Sequence, residues 1–350
     1  MRIVGGIGGR SIPPYQYVAT VEESPNVFDV WKWQQDSVGW GTRYATQTTY
    51  GLGRRGESVK FSPDNNYIAI GFTAVELVAQ IAVFPWSFNG VGTVIAGTLS
   101  FSATLPNYYQ TRCVAWHPNQ DAIVYGLRGS TTLGATSWSG SSWGTAYSAP
   151  ASAPTGSVNT TMFSPDGNYV FASSESSPYI IAWNWSSSTG FGSKISDPAS
   201  LPATDVRSID VISGQVAIAN ANTPFIEAYP FTSSWGTKYS DPGQLPASSN
   251  DISFSSNGSV AVATSITPYI TAYPFSSGFG TKYSDPVAVS GSIQATGVDF
   301  APDNKNIVLG GLNGSPYMAM YAWSAGFGTQ YADPVTLPTA AGQGKTRFSN

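Results

Sequence analysis

The sequence predicts an all-β fold, a single seven-bladed β-propeller with four antiparallel strands in each blade. Three observations carry that prediction. A Gly-Thr-centred motif recurs with its glycine at Gly41, Gly92, Gly144, Gly192, Gly236, Gly280 and Gly328, at spacings of 51, 52, 48, 44, 44 and 48 residues. Each interval holds short apolar runs separated by Gly, Pro, Asn, Asp and Ser, with no window of helical periodicity. The two ends of the chain also carry complementary parts of one repeat. Four strands at a 40–50-residue period is the pattern of a propeller blade, and an open solenoid would call for shorter repeats and capping segments.

Within a repeat, the first strand is apolar and runs into a tight turn, as in VKFSPDNNYIAIGF (59–72), MFSPDGNYVFAS (162–173) and DFAPDNKNIVLGG (299–311). Proline fixes φ there, and Gly or Asn tolerates the left-handed region, so Pro-Asp-Gly/Asn reverses the chain. The second strand leads to a loop ending in Ser-Pro or Thr-Pro. The third strand is expected to begin at that proline: PYIIAWNW (178–185), PFIEAYPF (224–231), PYITAYPF (268–275) and PYMAMYAW (316–323). Its aromatics alternate, which places large rings on one pleated face. The Gly-Thr motif supplies the fourth strand, ended by Asp-Pro at Asp197, Asp241, Asp285 and Asp333.

The termini predict how the ring closes. YVATVEESPNVFDVWKW (17–33) aligns with YVFASSESSPYIIAWNW (169–185), so the chain enters a blade at its second strand. TRFSN (346–350) aligns with VKFSP (59–63), a first strand that would complete the same blade. The alternative places an N-terminal first strand near Ile12. The domain reading is an extension over residues 1–15 and a propeller over 16–350. Opposite charges in one register on neighbouring first strands, Asp299 and Arg347, are expected to pair across the closing seam.

Composition limits the function. Charged residues are 10% of the 350, against roughly a quarter in average soluble proteins. The net charge of −4 argues against nucleic-acid binding, which needs a basic stripe. No run approaches the ~18 apolar residues of a membrane span, so no membrane insertion is expected. The start, MRIVGGIGGRSIPP, lacks the features of a secretion signal, which points to synthesis in a cytoplasm. Cys113 is the one cysteine; RCVAW reads as a buried, inert thiol.

FSPDGNYV is similar to the turn motif of WD40-like, TolB-type and lactonase-type propellers. Together with the PYI-AYPF and FGTKYSDP runs, it resembles the WD40-like repeats of tailed-bacteriophage proteins over about residues 16–350. The resemblance implies a non-enzymatic virion component of the tail or capsid. Its partners would be other virion proteins or a host-surface glycan or receptor, and it carries over no catalytic residue.

The residues themselves agree with that absence of chemistry. Asp64, Asp166 and Asp303 in the first turns, and the four aspartates before proline, repeat with the fold and read as structural. Glu22, Glu23 and Glu175 lie in loops, and nothing in the repeat sets two carboxylates facing across a glycosidic bond. His117, the single histidine, is expected in a surface turn, away from any triad or metal cluster. No catalytic, metal or cofactor-binding residue is predicted. The departures from the repeat are TYGLGRRGE (49–57), FTAVELVAQ (72–80), SFSATLPNYYQTR (100–112) and LRGSTTLG (127–134), read as loops on one face. They nominate Tyr50, Arg54, Arg55, Tyr108, Tyr109 and Arg128 as a partner-binding patch, since Arg and Tyr dominate recognition hot spots. The competing reading is an enzyme on the same scaffold, a lactonase or glycan hydrolase.

Overall fold

A computed structural model describes residues 15–21, 28–34, 39–44, 55–73, 79–87, 89–95, 99–101, 110–128, 133–286, 294–311, 315–338 and 345–350. These form seven antiparallel sheets, the blades of a propeller. The inner strands of blades 1 to 7 are Thr346–Phe348, Arg55–Phe61, Gln110–Trp116, Val158–Phe163, Val206–Ile212, Ser249–Phe254 and Ala295–Phe300. Blade 1 is composite. Its inner strand comes from the C-terminus and pairs with Tyr15–Val21 in the register Val18↔Phe348, Ala19↔Arg347, Thr20↔Thr346. The C-terminal strand therefore closes the ring.

The core explains why a blade needs its neighbours. Successive residues of a strand point to opposite sheet faces, and here both faces are apolar. In blade 1, Val18, Trp31 and Trp33 pack on blade 7, whereas Tyr17, Ala19, Phe28 and Val30 pack on blade 2. Seven apolar clusters among the described residues occupy the seven seams, one each. Close approach at a seam also requires glycine: a Cβ on Gly126 would overlap Val158 of the next blade.

Several elements differ from the sequence reading. The third strands begin two residues late, at Ile180, Ile226, Ile270 and Met318. The Pro-Tyr or Pro-Phe pair before each belongs to the turn, after a cis Ser/Thr-Pro peptide and with the aromatic at positive φ. The outer strand also varies. It spans Gly39–Tyr44, Trp143–Ala146, Gly190–Lys194 and Phe327–Gln330 in blades 1, 3, 4 and 7. It shrinks to Gly90–Val91 in blade 2, and to the single bridges Phe231↔Trp235 and Phe275↔Phe279 in blades 5 and 6. Those three blades are the ones with proline in the third strand, Pro85, Pro230 and Pro274. Proline has no N–H to give the outer strand, and only its carbonyl is used, accepting from Gly92, Gly236 and Gly280 at 2.8 Å each.

The irregular early segments are not wholly loop. Leu99–Phe101 adds a strand to blade 2 beside Ala79–Ser87, Arg55–Glu57 already belongs to the inner strand, and Arg128 ends the second strand of blade 3. The turn aspartates behave as the repeat predicts. Asp64 and Asp166 each accept from the serine two residues before and from the backbone N–H two residues after. Residues 1–14 lie outside the described residues.

Candidate functional site

Six charged side chains converge on the axis, five from the inner strands, Lys60, Asp210, Asp251, Asp299 and Arg347, and Lys345 from the residue before the strand of blade 1. Asp251 is their centre and is fully buried. Its Oδ2 accepts from Arg347 Nη1 at 2.7 Å and from the Val298 N–H at 3.0 Å. Its Oδ1 accepts from Ser208 Oγ at 2.6 Å and from Lys345 Nζ at 2.7 Å. Burial by itself would raise this carboxyl, but the adjacent Arg347 and Lys345 charges overcome it and hold the group well below the usual carboxylate range. Lys345 is drawn down to about 8, because burial outweighs its attraction to Asp251.

The expected Arg347–Asp299 pair is thus corrected. The guanidinium reaches past Asp299 to Asp251, one blade further round, and also donates to Val298 O at 3.0 Å. Asp299 instead accepts from the Phe348 N–H at 2.9 Å through Oδ2 and from Ser253 Oγ at 3.0 Å through Oδ1. Asp210 repeats the arrangement two seams back, accepting from the Phe254 N–H at 2.6 Å and its neighbour Val211 N–H at 2.9 Å. Burial pushes Asp210 up to about 6 despite these bonds, and Asp299 is also raised, chiefly by burial. All six oxygens of the three aspartates are occupied, and each carboxylate receives a backbone N–H from the following blade.

Among these side chains the channel is constricted to about 30 Å³, room for roughly one water. Toward the end where the inner strands begin, it opens into a recess of about 390 Å³. Residues at the strand starts build the recess wall as a relay between blades. Arg112 Nη1 donates to Asn159 Oδ1 at 2.5 Å, and Asn159 Nδ2 donates to Val206 O at 3.1 Å. Two blades on, Arg207 Nη1 donates to Asn250 Oδ1 at 2.7 Å, and Asn250 Nδ2 donates to Ala295 O at 2.7 Å. Glu175, from a second-to-third-strand loop, stands 3.6 Å from Arg112.

Of the six nominated patch residues, Tyr50, Arg54, Tyr108 and Tyr109 lie outside the described residues. The backbones of Arg55 and Arg128 sit opposite Thr73 and Gln110, at the same end of their sheets as the recess. His117 is corrected: it is buried, not in an exposed turn. The turn's first position points inward, as Ser62, Ser164 and Ser255 also do. The ring lies edge-on to Phe163, with Nε2 at 3.1 Å from Gly167 O across the blade 3–4 seam and Nδ1 at 2.6 Å from Asp121. Cys113 is buried as expected, and burial pushes its thiol up to about 12.

Sequence reasoning missed Asp251, Arg112 and Arg207. A signal existed for Asp251. It stands two residues before Ser253, so the period of 2 puts both on one side of the strand. Among the described residues, no three His, Cys, Asp or Glu side chains are arranged to hold a metal ion, and no helix is long and apolar enough to cross a membrane.

No family model matches the chain, and no curated protein sequence matches it. Solved structures do. A periplasmic gluconolactonase of Pseudomonas aeruginosa is 11% identical with a TM-score of 0.69, covering 96% of this chain and 99% of that one. A Bacteroides fragilis protein described as a candidate 6-phosphogluconolactonase is 10% identical with a TM-score of 0.72, covering 98% and 100%. A β-propeller domain from Myceliophteria thermophila is 10% identical with a TM-score of 0.57, covering 87% and 96%. At such identities the likeness shows the fold alone, a seven-bladed propeller shared by unrelated activities.

Proposed function

We propose that this protein is a non-enzymatic binding module, a bacteriophage virion component of the tail or capsid. It would engage other virion proteins or a host-surface glycan or receptor through the face where the inner strands begin. The observation that carries the non-enzymatic reading is the full occupation of Asp210, Asp251 and Asp299. A general acid or base needs a carboxyl oxygen free to exchange a proton with substrate; five of these six oxygens stitch blade to blade instead, and the sixth accepts from the Val211 N–H. The virion setting is supported by the repeat resemblance, and assembly in the host cytoplasm follows from it. Mass spectrometry of purified particles tests this reading: the protein should be present at a fixed stoichiometry, and its absence from particles overturns the virion assignment.

The second reading is a lactonase, favoured by likeness to the gluconolactonase fold over 96% of the chain and by a polar recess on the axis. Hydrolysis of δ-gluconolactone, followed with and without divalent metals, separates the two. Turnover that a single recess carboxylate substitution abolishes would replace the binding-module reading with the enzymatic one.

A further inference from the structure

We propose that the recess at the channel mouth binds a polyhydroxylated carboxylate, with Arg207 as the anchor of its carboxyl group. This chemistry belongs equally to a free sugar acid and to an acid sugar ending a glycan. The inference deepens the reading of this face as the ligand-binding one and rests on it.

The cations of the recess differ in what they are given. Lys345 has the Asp251 carboxylate at 2.7 Å, and Arg112 has Glu175 at 3.6 Å besides its amide partner. Arg207 has only neutral partners, Asn250 Oδ1 at 2.7 Å and Ser248 Oγ at 3.3 Å, both through Nη1. Among the described residues, its Nε and Nη2 make no hydrogen bond to protein and no carboxylate pairs with it. Those two neutral contacts hold the guanidinium in place. They leave one edge of the fork, two parallel donors, in the geometry a carboxylate accepts.

The rest of the wall selects the class of ligand. Among the described residues every lining side chain is polar or charged, which favours a polar ligand over an apolar one. Its volume of about 390 Å³ suits a ligand of one or two sugar rings. Asp205 and Glu175 present carboxylate oxygens that accept from hydroxyls. The same two carboxylates, with Glu57, oppose a dianion such as a phosphate monoester. One negative charge amid several hydroxyls is the best match to this wall.

Isothermal titration of the full chain with D-gluconate, D-glucuronate, 3′-sialyllactose and neutral D-glucose tests the inference. At least one acid should bind tenfold or more tighter than glucose, a difference of about 1.4 kcal/mol. Arg207→Gln keeps an amide donor for Asn250 and removes the charge, and it should bring acid and neutral sugar within about twofold. Asp205→Asn removes a nearby like charge and should tighten acid binding, which provides a readout should the Arg207 variant fail to fold. Binding of the free acids alone identifies a small-molecule ligand; binding of 3′-sialyllactose identifies a glycan end. Equal affinity for acid and glucose, no acid binding at about 10 mM, or an unaltered Arg207→Gln profile overturns the proposal. Particle association is untouched by any of these results, so the two readings fail separately.

Discussion

Replacing Asp251 by Asn removes the carboxylate that, among the described residues, forms the ion pairs of both Arg347 and Lys345. Arg347 and Lys345 both point at this carboxylate, along with Ser208 and the Val298 N–H. An asparagine offers one acceptor oxygen where two were in use, and it leaves both positive charges beside an amide N–H₂ donor. Removing one partner of a buried ion pair costs about 3–5 kcal/mol. For 350 residues the unfolding entropy is on the order of 0.7 kcal/mol/K, so the melting temperature should fall by roughly 4–7 °C. Differential scanning calorimetry at pH 7 measures this directly. The cause is isolated by a cycle with Arg347→Met: once Arg347 is gone, the further cost of Asp251→Asn should drop to less than half its value in the wild-type background. Additive costs for the two substitutions, or a fall of under about 1 °C for Asp251→Asn, would refute the idea that this carboxylate holds the seams of blades 5, 6, 7 and 1 together.

Removing residues 346–350 should cost more than Arg347→Ala. It deletes the inner strand of blade 1, buried Phe348, and the Asn350–Asn65 contacts at 2.6 and 2.8 Å that reach blade 2; thermal melts of both variants compare them, and a harmless truncation would contradict C-terminal closure. Asp210 titrates the other way from Asp251. Its folded value, about 6, lies above the ordinary 3.8, so the folded state holds this proton more tightly and its favourable contribution is lost as pH rises through 6. The interval corresponds to roughly 3 kcal/mol, so Asp210→Asn should shift the melting temperature more favourably at pH 7.5 than at pH 3.5, and a pH-independent effect would disprove the raised value.

Much of the architecture could be read from the sequence because its causes are local. Apolar runs of strand length, Pro-Asp-Gly turns and a motif repeating seven times specify blades, and a first strand displaced to residues 346–350 specifies closure. These depend on residues within a few positions of one another. Even the shortened outer strands had a sequence cause in Pro85, Pro230 and Pro274, whose missing N–H was overlooked. The site was less legible. The nominated arginines and tyrosines came from breaks in the repeat, a signal that marks irregular backbone and says nothing about which side chains line a cavity. Arg207 sits inside a regular strand and carried no such mark; Arg112 closes the 100–112 break but lies in the strand Gln110–Trp116, and the tyrosines before it were nominated instead.

What the sequence by itself determined, then, is the number of blades, their strand order and the closing strand. The tertiary structure decided every partner across a seam. Arg347 chose Asp251 over Asp299, 96 residues away along the chain and not in the same register, because blades meet at an angle and a long guanidinium spans to the second neighbour. His117 went inward because Gly167 of the adjacent blade supplies both the space and the acceptor. Buried Glu227 meets Lys238, and buried Asp29 meets Arg43, within single blades whose other copies have Ile181 and Thr271 at the acidic position. Strand and turn preferences act over neighbouring residues, whereas these pairings depend on distances fixed only when seven sheets have packed around one axis.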